Sequence, residues 1–134
     1  MDTKKLEQVI AQVESYVECW RQFSHYLNRA REKRFDLDDE TQFLEFKCVL
    51  IQELESILAT IEMTEPSKEE IHGVITNCSS IRAMSGTSEQ DLAALENQWH
   101  KIYIAWHSIL GQLKASLRQQ DEGKGWSLFA KKAA

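Results

Sequence analysis

Apolar residues recur along the chain on a seven-residue beat. Leu6, Val13, Trp20 and Leu27 form one row, and Val9, Tyr16, Phe23 and Ala30 form a second between them. At about 100° per residue the two rows merge into one stripe, with Glu7, Glu14, Glu18, Arg21, His25 and Arg29 mostly off its centre. The spacing predicts a first helix from about Thr3 to Arg34, capped by Asp2 or Thr3. A second helix follows the acidic run Asp36-Leu37-Asp38-Asp39-Glu40. It carries Phe43, Leu44, Leu50, Ile51, Leu54, Ile57, Leu58 and Ile61 on a broad apolar face and ends near Met63. Cations at the end of the first helix and acids at the start of the second match what the helix dipole favours at each terminus.

Pro66, and Ser67 three residues before Glu70, mark the start of a third helix. Ile71, Val74, Ile75, Cys78 and Ile81 share one face of it. Gly73, Thr76, Asn77, Ser79 and Ser80 make it the weakest helix by intrinsic propensity, and Ser85-Gly86 ends it near Met84. The fourth helix opens at Thr87 or Ser88 and has the cleanest pattern. Leu92, Trp99, Trp106 and Leu113 form one row, Leu95, Ile102 and Ile109 the other, with Tyr103, Leu110 and Leu117 widening the face. It is expected to run to about Gln120, where Asp121 to Gly125 releases the chain.

Four amphipathic segments on short connections predict an all-α, up-down-up-down antiparallel four-helix bundle. The seven-residue repeat implies left-handed, coiled-coil-like packing. The expected division is a bundle domain over residues 1–122 and an aromatic-basic C-terminal tail over 123–134. Because the third helix is about half as long as the fourth, one end of the bundle lacks a full cross-section. The tail, a second copy or another protein is expected to cover it.

Composition narrows the partners. Sixteen Lys and Arg stand against 21 Asp and Glu in 134 residues, for a net charge of −5. The richest basic stretch, Arg29, Arg31, Lys33 and Arg34, runs straight into Asp36, Asp38, Asp39 and Glu40, which repel a phosphate backbone, so no nucleic acid is expected. Residues 36–65 hold nine acids and one base, Lys47. Cys19, Cys48 and Cys78 are scattered, without a C-x-x-C pair or a secretory leader, which points to a reducing cytoplasm. No apolar run approaches the ~18 residues a membrane span needs.

Candidate chemistry is sparse. A carboxylate-bridged di-metal bundle needs Glu-x-x-His on two helices and a Glu from each of two others; only Glu69-x-x-His72 fits, so no metal or cofactor is expected. Trp99-His100 and Trp106-His107 repeat one pair seven residues apart. The two histidines lie about 10.5 Å apart along the axis, too far to ligate one ion. With Glu96 and Tyr103 they flank the core stripe and form a candidate ligand-binding groove. No nucleophile–base–orienter set and no phosphate loop is present, so no catalytic residue is assigned. Trp20, Trp99 and Trp106 read as core bulk. In the tail, Trp126, Leu128 and Phe129, followed by Lys131 and Lys132, are candidate partner anchors. The chain reads as a non-catalytic protein-interaction or oligomerisation module. The alternative is a small-molecule- or metal-binding bundle using the His100/His107 flank.

Overall fold

The computed structural model describes the backbone of residues 1–133 and the side chains of residues 1–122. Five helices and no strand occur among the described residues: α1 (Thr3–Glu32), α2 (Leu37–Leu58), α3 (Lys68–Asn77), α4 (Ile81–Ser85) and α5 (Glu89–Ala133). Local sequence sets their starts. Asp2 accepts from the Lys5 N–H at 2.7 Å. Asp36 and Asp39 form a reciprocal capping box at the head of α2. Ser67, Ser80 and Ser88 accept from the N–H groups of Glu70, Ala83 and Asp91. Each cap satisfies one of the donors a helix N-terminus leaves free. Pro66 lies before the Ser67 cap, behind a cis Glu65–Pro66 bond, and not in the first turn of a helix.

All eight residues of the two rows on α1 are buried. Against this face lie α5, α4 and α2. α1 and α5 run antiparallel along their length. Thr3 bonds Gln120 and Gln120 bonds the Met1 carbonyl at one end, Lys114 pairs with Glu14 next, and Arg31 pairs with Glu96 at the other end. α2 is also antiparallel to α1, as the contacts Arg29–Asp39, Tyr16–Leu50 and Gln12–Ser56 show.

The expected third helix is two helices. Cys78 takes a non-helical conformation, Ser79 follows, and Ser80 restarts the helix as the N-cap of α4. Its serines and asparagine compete with helix hydrogen bonding, which is why the break falls here. α2 stabilises the break. Lys47 donates from Nζ to the Cys78 and Ser79 carbonyls at 3.1 and 2.7 Å, and the Glu40 carboxylate accepts the Arg82 N–H at 2.9 Å. Desolvation lowers the Lys47 pKa below the usual lysine range, against weaker opposing effects of Cys78, Cys48 and Glu40. Ser80→Ala removes the α4 cap and is expected to lower the unfolding free energy by about 1 kcal/mol, read as a shift of the urea midpoint. A shift of zero would mean that Glu40 and Lys47 hold α4 without the cap.

Two other boundaries differ from expectation. α2 ends at Leu58 rather than Met63, because the chain turns there and brings Ile61 and Met63 partly against the core. That turn lies beside the end expected to be open, and a cavity of about 410 Å³ remains between residues 61–65 and Ile109, Gln112, Leu113 and Ser116. α5 runs past the expected stop near Gln120 to Ala133. Gly123 and Gly125 weaken a helix without forbidding it, and the Ala and Lys residues that follow favour one.

Aromatic rings fill the centre. Trp20 stacks on Phe23 with centroids 5.5 Å apart, and Tyr16 stands edge-on to Trp106 at 4.8 Å. Tyr16 donates its hydroxyl to the Leu50 carbonyl at 2.7 Å. Burial pushes the Tyr16 phenol well above its ordinary pKa. The indole N–H of Trp106 is buried without a hydrogen-bond partner among the described residues. No helix among the described residues is long and apolar enough to cross a membrane.

Candidate functional site

The helical period places Glu96, His100, Tyr103 and His107 along one edge of α5, and the structure joins three of them through Trp99. Trp99 packs against the core without being enclosed by it. It is half-buried at the α1–α5 seam, where its indole N–H donates to the Trp20 carbonyl at 2.7 Å. Tyr103 stacks on Trp99 at 5.1 Å with the planes 13° apart, and His107 meets the Tyr103 ring edge-on at 4.7 Å. The His100 ring lies 6.0 Å from Trp99, tilted by 38°. Both imidazoles are solvent-exposed. Glu96 is held apart from this ladder by its ion pair with Arg31. The result is a row of rings with wet edges, which can stack a flat group but does not converge ligands on a point.

His72 turns away from Glu69 toward α2. Its Nε2 lies 3.7 Å from Glu55, whose carboxylate Lys68 already holds at 2.6 Å. Among the described residues no group of three or more His, Cys, Asp or Glu side chains is placed to hold a metal ion. All three thiols are free, with Cys48 exposed, Cys19 half-buried and Cys78 buried. Burial pushes the Cys78 thiol up to about 11, against a smaller opposing pull from Lys47. Cys19 is raised too, by burial first and then by Glu53 and Glu18. Neither is poised as a nucleophile.

The outer face of α2 carries the surface that the periodicity did not pick out. Leu44, expected on the apolar core face, is 60% exposed, and Leu37 is 81% exposed. They stand seven residues apart, so they share one line along the helix, with exposed Thr41 and Cys48 on the same line. Two hollows adjoin them. One of about 350 Å³ is lined by Phe35, Asp36, Leu37, Glu40 and Arg82. The other, about 260 Å³, is lined by Glu40, Thr41, Phe43, Leu44, Ser79 and Ser80. Glu40 lines both, so the two hollows are neighbours along the start of α2 and the α3–α4 break, together called the groove. Asp38 and Glu45 are exposed on the far side of the leucine line. A signal was present in the sequence: the Leu37–Leu44 row is offset from the Phe43–Leu50–Leu54–Ile57 row, so the apolar arc of α2 is wider than its α1 and α4 neighbours can cover.

The tail anchors Trp126, Leu128 and Phe129 lie outside the described side chains. Comparison with protein-family models, with curated proteins and with solved structures finds no match for this chain.

Proposed function

We propose that this chain is a non-catalytic interaction module that oligomerises or binds another protein through the outer face of α2. The observation that carries the reading is the Leu37–Leu44 line. Two large leucines on one line, exposed beside a groove and flanked by exposed Asp38 and Glu45, offer paired apolar anchors for a partner. Apolar anchors inside a charged rim are how interaction surfaces combine affinity with specificity. The free imidazoles and raised thiols support no competing catalytic assignment.

Native mass spectrometry of gently purified, untagged protein tests the reading. Masses at two or more times the bare 15.5 kDa chain, or that of a stoichiometric complex with a second protein, are expected, and a bare monomer alone would count against the reading. Leu37→Glu with Leu44→Glu should abolish that association while moving stability by only about 0.5 kcal/mol, because both side chains are already in water. An association that survives both changes would remove α2 as the interface. The Trp99–Tyr103–His107 ladder supports the second reading, a bundle that holds a flat small molecule or a metal. A reproducible extra mass, lost in the His100→Gln, His107→Gln double variant with the fold intact, would move the assignment there.

A further inference from the structure

We infer that the groove on α2 receives residues 123–134 of a second copy of this chain, so that two chains exchange C-terminal segments. The inference rests on the reading of α2 as an interaction surface and names its occupant.

Charge gives the first argument. Residues 36–45 contain Asp36, Asp38, Asp39, Glu40 and Glu45 and no cation. Asp36 and Asp39 are used in capping and Glu40 holds α4, but exposed Asp38 and Glu45 make no ion pair among the described residues. Residues 123–134 contain Lys124, Lys131 and Lys132 and no acid, together with Trp126, Leu128 and Phe129. Arg82 also lines the groove and Arg29 pairs with Asp39, so the acidic excess is that of Asp38 and Glu45 beside the leucine line; this surface and an aromatic segment with basic flanks are complementary in both respects.

Reach gives the second argument, and it selects a second copy over the same chain. Gln120 meets Met1 and Thr3 at the N-terminal end of α1, whereas Leu37 starts at its C-terminal end. The 30 residues of α1 separate these ends by about 45 Å. Phe129 is nine residues beyond Gln120, at most about 31 Å of fully extended chain, so the apolar anchors cannot return to the groove of their own α2. Two copies set side by side and antiparallel, with a stagger, resolve this. The roughly 20 Å that α5 adds beyond Gln120 then runs beside the first half of the other chain's α2, where Leu37 to Cys48 spans about 16 Å. The exchange is reciprocal under a two-fold axis, so the assembly closes as a dimer instead of growing into a filament.

Sedimentation of the full chain over a concentration series tests this. The wild type is expected to dimerise, and Trp126→Ala with Phe129→Ala is expected to raise the dimer Kd at least about tenfold. Asp38→Lys with Glu45→Lys, and separately Lys131→Glu with Lys132→Glu, should each do the same, and combining the two reversals should bring Kd back to within about threefold of the wild type. Far-ultraviolet circular dichroism and the melting temperature confirm that each variant is folded. Weakening by Leu37→Glu and Leu44→Glu, with no response to the tail variants, would overturn the exchange and leave α2 holding a different occupant. A wild type that stays monomeric at about 100 μM would overturn the exchange as well. Failure of the charge reversals to rescue one another would show that the two surfaces do not meet.

Discussion

Trp106→Ala lowers the unfolding free energy by about 3–5 kcal/mol, a large share of the total for a domain of this size. The indole is fully buried and forms the α5 side of the ring cluster built on Tyr16, Trp20 and Phe23. Truncation removes its apolar area and leaves a void beside the α1 rings, Tyr16 foremost, which a packed helix pair closes only in part. Trp106→Phe behaves differently. It shrinks the ring but also removes an N–H that is buried without an acceptor. An unmade hydrogen bond of that kind costs about 1–3 kcal/mol, which offsets most of the lost contact, so the Phe variant stays within about 1.5 kcal/mol of the wild type. Guanidinium unfolding of the three proteins, with unchanged slopes, separates the two effects. A Phe variant as unstable as the Ala variant would mean that the N–H has a partner, such as a bound water, in solution.

Alkaline pH exposes the second large effect. Cys78 is held as the thiol in the folded chain up to about pH 11, whereas its ordinary value is 9.0. Below pH 9 folded and unfolded chains are both protonated at this site and its contribution is fully present. Above pH 9 the unfolded chain releases the proton and the folded chain does not, so stability falls as pH rises toward 11. The loss attributable to Cys78 is about 1.4 kcal/mol between pH 8 and 10. Subtracting the same curve for Cys78→Ala isolates it from Tyr16, which burial also holds protonated. Identical slopes for the two proteins would place the thiol in contact with water. At pH 8 the thiolate fraction of Cys78 is about one in a thousand and the thiol is buried, so iodoacetamide should label it far more slowly than exposed Cys48.

The legible part of the fold was the part governed by periodicity. Both rows of α1 are buried in full, because α1 is covered along its whole apolar face. On α5 the same reasoning found the correct residues but not their depth. Leu92, Ile102, Trp106 and Leu110 are buried, yet Trp99, Leu113 and Leu117 are only partly covered, since short α3 and the turn after α2 cannot shield a helix of this length. The break at Cys78–Ser80 was visible as weak propensity and invisible as geometry. What makes it stable is Lys47 and Glu40, more than thirty residues away in the chain. The same limit applies to Leu44, which belongs to an apolar helix face by sequence and to water by position, because exposure depends on which neighbours arrive. The ladder of Trp99, Tyr103 and His107 follows from four-residue spacing; the diversion of Glu96 to Arg31 does not.

The pairing of α1 with α5 also sets an order of events at the ribosome. α1, with ten buried side chains, is translated before α5, its longest partner. At about 5–20 residues per second, several seconds pass between the completion of α1 and the emergence of the first turns of α5. During that interval α2 and then α4 are the only elements able to shelter the nascent α1 surface. Native closure must wait for contacts between residues more than a hundred positions apart, such as Thr3 and Gln120. Such long-range closure is intrinsically slow, so the apolar face of α1 stays only partly covered until α5 has been made.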